Sequence, residues 1–314
     1  MFNTVLFDLD GTRLGLDMQK VMDAYMTERA VYATEKGLNG PLFVSSLFKG
    51  VAAMQDNEGQ GTNHDVFWKV MRASYPELPE EVEEWTDEFY TGEHFENVRR
   101  ESEAKTLTLA QTIIRLLKKK NYRVALATTP LFPLVAVEKR LEWAGLKPSE
   151  FELITTYEDY SYAKPDLRYY RAVCEKLGVE PTECYMVGND MWEDMSARHL
   201  GMDVFFCTPY AVNNKRDDIT SSIQRGDLMT LLEYVTRLPE LPKRPPKKVT
   251  RKVVKRVPKD SPEAIAYFQK KAEEEAAAKA AAEAEAAAAE GADGAEVAEI
   301  ADSAEVAEAG SDIQ

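Results

Sequence analysis

Short apolar runs alternate with amphipathic segments along residues 1–242, and this alternation constrains the fold of the chain more than any other feature. Five runs have the length of strands, at residues 5–8, 123–127, 153–155, 185–187 and 204–207. Helical patterns separate the later runs, and three of them stop at Gly145, Gly178 and Gly201, as helix C-termini commonly do. Strands and helices that alternate in this way build a parallel sheet covered on both faces, so we expect an α/β fold.

Residues 14–104 interrupt the alternation. They contain helical patterns without a good strand, such as MQKVMDAYMTERAVYATEKG and NHDVFWKVMRASY. An all-helical segment directly after the first strand predicts a second, smaller domain over the edge of the sheet to which that strand points. We therefore expect a core of residues 1–13 and 105–242 and a helical domain of residues 14–104.

The composition changes abruptly near Leu241. Residues 243–259 carry nine Lys and Arg without an acid, whereas residues 260–314 carry fifteen acids and three lysines. We expect residues 243–314 to be a low-complexity tail, basic and then acidic, that is disordered or partly helical. Of the total net charge of −15, −12 remains on residues 1–242, which argues against a domain that binds specific nucleic acids.

Other features of the sequence bear on localisation. No apolar run approaches the roughly 20 residues that a membrane-spanning helix needs. The N-terminus lacks the pattern of a secretory signal. The three cysteines, Cys174, Cys184 and Cys207, are odd in number and widely spaced, which suits a reducing compartment. We expect a cytoplasmic protein without a transmembrane segment.

Two acids, Asp8 and Asp10, follow the first apolar run in TVLFDLDGTR. Alternate residues of a strand project to the same side, and open parallel sheets bind ligands at the carboxyl ends of their strands. Gly11 permits an abrupt turn after the acids. An Asp-Gly turn with a second acid by chance is the simpler explanation, but the longer pattern that ends in Gly-Thr favours a functional site.

Four motifs, in order, resemble those of the haloacid dehalogenase-like (HAD) phosphohydrolases: FDLDGT, VALATTP, AKPD and YMVGNDMWEDM. The resemblance covers about residues 1–240. It implies a Rossmann-like parallel sheet core, and the helical segment 14–104 is similar to the cap domain of this family.

The resemblance also implies catalytic roles. Asp8 would be the nucleophile and form an aspartyl-phosphate that water then hydrolyses. Asp10 would act as general acid for the leaving oxygen and then as general base for the water. Thr128 would bind the phosphoryl oxygens, and Lys164 would hold Asp8 and the phosphate together. Taken alone, Lys164 has the less favoured alternative of a solvated surface lysine.

The same resemblance implies a Mg²⁺ site formed by Asp8, the backbone carbonyl of Asp10, Asp190 and Asp194, since Mg²⁺ prefers hard oxygen ligands and keeps several waters. The fourth motif leaves one choice open. Either Asn189, five residues before Asp194, or Asp190, four residues before it, fills the first acidic position. We favour Asp190 because an amide brings no charge.

Three further residues of these motifs also bear on the site. Arg13 stands where members of the family usually have an apolar residue, and it would either contact substrate or pair with the helical domain. Thr129 stands where the family often has Asn, and it keeps the ability to bind substrate by hydrogen bonds. Glu193 is either an additional metal ligand or an acid on a helix surface.

These features predict a Mg²⁺-dependent phosphatase whose partner is a small phosphorylated metabolite, such as a sugar phosphate, phosphoglycolate or a nucleotide. A 2-haloacid dehalogenase would not need Asp10, and a phosphosugar mutase shares the motifs. A phosphonatase would need a lysine from the helical domain, for which Lys20, Lys36, Lys49 and Lys69 are available. An alternative of another class is a non-catalytic scaffold that works through the charged tail, on an anionic membrane surface or RNA.

Overall fold

The structure, a computed structural model, describes residues 2–212 and 223–244. These residues contain seven strands: β1 (Thr4–Phe7), β2 (Leu14–Gly15), β3 (Lys105–Thr106), β4 (Arg123–Leu126), β5 (Cys184–Gly188), β6 (Asp203–Cys207) and β7 (Gln224–Gly226). Five of them form one sheet in the order β4-β1-β5-β6-β7, and every neighbouring pair is parallel. The predicted α/β fold with a Rossmann-like parallel sheet is therefore confirmed.

Two details of the sheet differ from the prediction. Residues 153–155 form an isolated parallel bridge beside β4, at Ile154, rather than a full strand. The backbone N–H of Leu126 nevertheless donates to the carbonyl of Leu153 at 2.8 Å, so the segment extends the sheet by hydrogen bonding. Strand β7 was not predicted, because its residues Gln-Arg-Gly lack the apolar side chains that mark a buried strand.

The strands bury side chains on both faces of the sheet. In β1, Val5 and Phe7 belong to the larger apolar cluster, whereas Leu6 belongs to the cluster on the opposite face. Helices on each side supply the remaining residues of these clusters. This double burial explains why the strands are apolar throughout instead of alternating with polar residues.

Nine α-helices lie within the described residues: α1 (Met18–Glu35), α2 (Gly40–Gln55), α3 (Asn63–Ser74), α4 (Glu84–Thr91), α5 (Glu93–Glu101), α6 (Thr108–Lys119), α7 (Leu134–Trp143), α8 (Leu167–Leu177) and α9 (Leu228–Arg237). Short 3-10 helices cover Glu80–Glu83, Pro148–Glu150, Pro181–Glu183 and Asp194–Leu200. Local chemistry fixes several of the ends. Thr62 and Asp65 form a capping box at the start of α3, and Gly178 ends α8 in the left-handed conformation.

Helices α1 to α5, called here the helical block, follow the first strand as the sequence predicts. Helix α1 packs against α2 and α5, and α2 packs against α3. The antiparallel pair formed by β2 and β3 joins the two ends of the helical block, with Leu14 opposite Thr106. This pair lies close to the predicted boundaries at residues 14 and 104. Each of its strands has two residues, which is too short for a strand pattern to show in the sequence.

The predicted tail, residues 243–314, lies outside the described residues except for Lys243 and Arg244. In the described parts of the chain, no helix has both the length and the apolar character needed to cross a membrane. The three cysteines are buried and free.

Candidate active site

A cavity of about 350 Å³ lies at the carboxyl ends of the central strands, where the helical block faces the sheet. Strands β4, β1 and β5 are neighbours in the sheet, and the residues that follow them reach the cavity. Asp8 follows β1, Thr128 follows β4 and Asp190 follows β5. The fold thus gathers residues that lie up to 182 positions apart in the sequence.

Three charged side chains form the base of this site. The Lys164 ammonium is fully buried, and its Nζ lies 2.9 Å from Oδ1 of Asp8 and 2.6 Å from Oδ1 of Asp194. Lys164 reaches them from the segment that leads into α8, which begins after the N-cap Asp166. A buried ammonium between two buried carboxylates is compensated by its partners. Lys164 is therefore a buried member of the site and not a surface lysine.

The charges in this group affect one another's protonation. The pKa of Asp8 is raised to about 8, mainly by burial; Lys164 opposes the rise, and the nearby carboxylates of Asp194 and Asp10 add to it. Burial lowers the pKa of Lys164, but Asp194 and Asp8 more than offset this and hold it well above its ordinary value. One cation shared by several acids leaves an excess of negative charge, which further positive charge would stabilise.

Asp10 has a partner that the sequence did not indicate. Arg140, in α7, donates a hydrogen bond from Nη1 to Oδ2 of Asp10. Among the described residues, the other oxygen of Asp10, Oδ1, is buried without a hydrogen-bond partner, and so is Nη2 of Arg140. Both residues line the cavity. Arg140 therefore fixes the orientation of the Asp10 carboxylate and leaves one of its oxygens without a partner among the described residues.

A signal for Arg140 does exist in the sequence. The buried residues of α7 include Ala136, Val137, Arg140 and Leu141, which share one face of the helix. An arginine on an otherwise apolar helix face must be paired or bound when it is buried. The position of Arg140 on this face therefore predicts a buried, paired arginine, although the sequence does not indicate that Asp10 is its partner.

The turn after β1 joins the first motif to the fourth. Gly11 has φ of +72°, and a Cβ atom there would lie 2.3 Å from Nδ2 of Asn189. The Asn189 amide uses the space: its Oδ1 accepts from the Thr12 hydroxyl at 2.9 Å, and its Nδ2 donates to the Tyr210 carbonyl at 2.7 Å. Asn189 therefore links the fourth motif to the first through Oδ1 and to the segment after β6 through Nδ2.

Thr128 and Thr129 both line the cavity after β4. The Thr128 carbonyl accepts hydrogen bonds from Thr155 at 2.6 Å and from the Tyr169 hydroxyl at 3.0 Å, which fixes this part of the backbone. The Thr129 hydroxyl donates to Oε2 of Glu193 at 2.6 Å. Glu193 also lines the cavity instead of lying on a helix surface, and burial raises the pKa of its carboxyl group.

The acids of the fourth motif are held by backbone groups. Oδ1 of Asp190 accepts from the N–H groups of Trp192 and Glu193 at 2.7 and 2.9 Å, and Oδ2 of Asp194 accepts from the N–H of Asp190 at 2.9 Å. Gly188 makes room for Asp194, because a Cβ atom at Gly188 would lie 2.1 Å from Oδ2 of that residue.

The donor atoms at the site fit Mg²⁺ in type. Within 2–212 and 223–244, no three His, Cys, Asp or Glu side chains converge closely enough to form a metal-binding group by themselves. Mg²⁺, however, needs only two or three protein oxygens when water completes its shell. Asp8, the backbone of Asp10, and Asp190 supply hard oxygens where negative charge is in excess.

Arg13 lies apart from the cavity. It is fully buried, its guanidinium carbon lies 3.3 Å from the centre of the Phe7 ring, and Nη1 donates to the Ala110 carbonyl at 3.4 Å. Burial lowers the pKa of Arg13 to about 9. The structure thus places Arg13 in the core beside β1, and it is not among the residues that line the cavity.

The helical block supplies a mostly apolar wall opposite these acids. Side chains of α1, α2 and α3 form most of it, including Met22, Met26, Leu47 and Trp68. Arg29 of α1 also lines the cavity, although only 5% of its surface is exposed to solvent. The site therefore combines a charged base with an apolar wall that contains one buried guanidinium.

Comparison with known proteins gives the chain a family. The model of the haloacid dehalogenase-like hydrolases matches residues 2–201. Pyrophosphatase PpaX from Bacillus cereus (strain AH820) is 25% identical over 205 residues, which cover 63% of this chain and 80% of that protein.

Two solved structures have a similar fold. A HAD phosphatase from Thermococcus onnurineus matches with a TM-score of 0.50 and 18% identity, over 77% of this chain and all of that one. A 2-haloacid dehalogenase from Pseudomonas syringae pv. Tomato DC3000 matches with a TM-score of 0.50 and 18% identity, over 76% and 99% of the two chains. At this identity the likeness concerns the fold alone.

Proposed function

The chain belongs to the haloacid dehalogenase-like hydrolase family and is an enzyme, and from this premise we propose that it is a Mg²⁺-dependent phosphatase of a small phosphorylated metabolite. The observation that carries the proposal is the contact of Lys164 with both Asp8 and Asp194 at the carboxyl end of β1. The carboxylate that we propose as the nucleophile thus lies against a buried cation and lines the cavity, which supports this role. Phosphoryl transfer depends mainly on such positioning and charge neutralisation.

The proposed reaction has two steps. An oxygen of Asp8 attacks phosphorus, the bond from phosphorus to the leaving oxygen breaks, and Asp10 gives that oxygen a proton. Water then attacks the aspartyl-phosphate, Asp10 takes the proton of the water, and the Asp8 carboxylate is regenerated with release of phosphate. Thr128 and Thr129, at the cavity surface beside Asp8, would bind the phosphoryl oxygens.

Mg²⁺ would be held by Asp8, the backbone carbonyl of Asp10, and Asp190. When bound, it would neutralise part of the negative charge on the transferring group. The hydrogen bonds of Asn189 to Thr12 and Tyr210 support Asp190 rather than Asn189 as the ligand in the first acidic position. Asp194, with one oxygen on Lys164 and the other on a backbone N–H, would position the site.

We further propose that the helical block acts as a cap that selects the substrate. Its apolar wall completes the cavity over the charged base. None of Lys20, Lys36, Lys49 and Lys69 lines this cavity, which argues against a phosphonatase that forms a Schiff base. The presence of Asp10 with an aligned carboxylate argues against a dehalogenase, which has no leaving oxygen to protonate.

A screen of phosphorylated metabolites with Mg²⁺ tests the proposal. Asp8→Asn is expected to lower turnover by more than about 10³-fold, because an amide cannot attack phosphorus. Mass spectrometry of the wild type quenched in acid should detect one phosphoryl group on the peptide that contains Asp8. Asp203→Asn, at an exposed position at the start of β6, is the matched control and should keep full turnover.

The metal is tested separately. Chelation by EDTA should abolish turnover and added Mg²⁺ should restore it. Asp190→Asn should raise the Mg²⁺ concentration needed for half-maximal turnover, while Asp203→Asn should leave it unchanged. Full turnover of the Asp8→Asn enzyme, in a preparation free of contaminating phosphatases, would overturn the proposed function.

A further inference from the structure

Arg29 is a buried cation without an acidic partner among the described residues. No carboxylate lies within 4.0 Å of its guanidinium in that part of the chain. Its one hydrogen bond there runs from Nε to the Tyr25 hydroxyl at 3.1 Å. A guanidinium that loses water on burial needs compensation, and a single neutral hydroxyl supplies little of it.

Aromatic rings enclose the rest of the guanidinium. Its carbon lies 4.3 Å from the centre of the Phe89 ring, 5.2 Å from that of Tyr90 and 5.4 Å from that of Tyr25. The hydroxyl groups of Tyr25 and Tyr90 are 2.6 Å apart and hold these two rings in place. The rings attract the cation and fix its position. They do not, however, provide hydrogen-bond acceptors in the plane of the guanidinium for its other N–H groups.

Arg29 nevertheless lines the cavity that contains Asp8 and Asp10. The two ends of the cavity therefore differ. The base presents the acids with Arg140, while Lys164 pairs with Asp8 and Asp194 without itself lining the cavity. The wall of the helical block presents one guanidinium set in apolar and aromatic side chains. A ligand that fills this space would contact both the acids of the base and the Arg29 guanidinium of the wall.

We propose that Arg29 binds a second anionic group of the substrate, so that the enzyme acts on organic phosphate esters that carry another anion beyond an apolar body. This inference rests on the proposed function and specifies the substrate class. The guanidinium would donate to a carboxylate or a second phosphate, the acceptors that match its planar N–H groups. The Met, Leu and Trp side chains of the wall would contact the connecting carbon atoms.

Matched aryl phosphates test this assignment. The ratio of kcat/KM for 4-carboxyphenyl phosphate to that for phenyl phosphate should exceed one in the wild type. In Arg29→Met the ratio should fall by about 10-fold or more, as expected for the loss of one charge-assisted hydrogen bond. 1,4-Phenylene bisphosphate distinguishes a phosphate from a carboxylate as the preferred second anion, and the 4-trimethylammonio ester should be the poorest of the set.

Two controls address folding and charge. Arg72→Met removes another arginine of the helical block, one that pairs with Glu83 at 3.2 Å and does not line the cavity, and it should leave the ratio unchanged. Arg29→Lys keeps the charge and should retain part of the preference. Because each ratio compares two substrates of the same protein sample, a general loss of folded enzyme cancels.

A binding measurement separates this inference from the proposed function. Calorimetry with Asp8→Asn should show that 4-carboxyphenyl phosphate binds more tightly than phenyl phosphate, and the added Arg29→Met substitution should remove the difference. If the difference is present but no substrate is turned over by the wild type, the anion site stands and the phosphatase proposal fails. An unchanged ratio in Arg29→Met, with the variant folded, overturns the anion site.

Discussion

Arg140 donates a hydrogen bond to Oδ2 of Asp10 across 130 positions of sequence, and this contact connects α7 to the turn after β1. Oδ1 of the same carboxyl group is buried and lacks a partner within the described residues. The carboxylate is thus held by one oxygen, and the other is unpaired in a residue that lines the cavity. In the proposed reaction that free oxygen would carry the proton to and from the reacting group.

Replacing Arg140 should impair proton transfer more than binding. Arg140→Gln is expected to lower kcat by about 10- to 100-fold for phenyl phosphate, whose leaving group needs a proton, and much less for p-nitrophenyl phosphate, whose leaving group does not. Steady-state kinetics with both esters measure the difference. Arg115→Gln, at an exposed position of α6, is the control. Equal losses for the two esters would show that Arg140 only supports folding.

Lys164 should matter for stability as well as for catalysis. Lys164→Met leaves the buried carboxylates of Asp8 and Asp194 without their cation, so the free energy of unfolding should fall by about 3 kcal/mol. Adding Asp194→Asn removes one of the two charges and should recover part of the loss. Urea denaturation at neutral pH measures both effects.

The control for that experiment is Lys139→Met, which breaks an exposed pair with Glu142 and should change stability by less than about 0.5 kcal/mol. If the double variant with Lys164→Met and Asp194→Asn is no more stable than Lys164→Met alone, the buried carboxylates of Asp8 and Asp194 do not destabilise each other as proposed.

Two glycines with nearly the same backbone conformation allow the cost of backbone strain to be measured apart from the cost of a steric clash. Gly11 and Gly178 have φ of +72° and +66°, but only at Gly11 would a Cβ atom meet another residue, Asn189. Gly178→Ala should cost about 1 kcal/mol from the left-handed conformation alone. Gly11→Ala should cost about 3 kcal/mol, because the clash adds to the strain. Thermal and urea unfolding compare them, and equal losses would contradict the close approach of Asn189.

His64 should make stability depend on pH. The Glu83 carboxylate raises the pKa of the half-buried imidazole in the folded protein. The imidazolium therefore stabilises the fold fully at pH values below the pKa of the unfolded chain, about 6.5, and this stabilisation is lost as the pH rises through the pKa of the folded protein. His64→Gln should therefore lower Tm at about pH 5.5 and have little effect at about pH 8.5, with less than about 1 kcal/mol at stake. His199→Gln, at an exposed position, serves as the control. A loss that grows with pH would reverse the proposed sign.

The sequence by itself determined the parallel sheet, the helical block and the edge of the sheet at which acids collect. Each of these follows from local patterns. Apolar runs mark strands buried on both faces, helical spacing marks the helical block and α6 to α8, and Asp8 and Asp10 directly follow the first apolar run. The prediction was incomplete where this local signal is weak, as in β7 and in the two-residue strands β2 and β3.

Only the tertiary structure decided which side chains meet. It paired Asp10 with Arg140, engaged both amide atoms of Asn189 with Thr12 and Tyr210, and placed Arg13 in the core rather than at the cavity. It also set Arg29 among aromatic rings facing the cavity. The physical reason is that the energy of a buried charge depends on neighbours brought together by packing, and those neighbours lie too far apart along the chain for any local pattern to specify them.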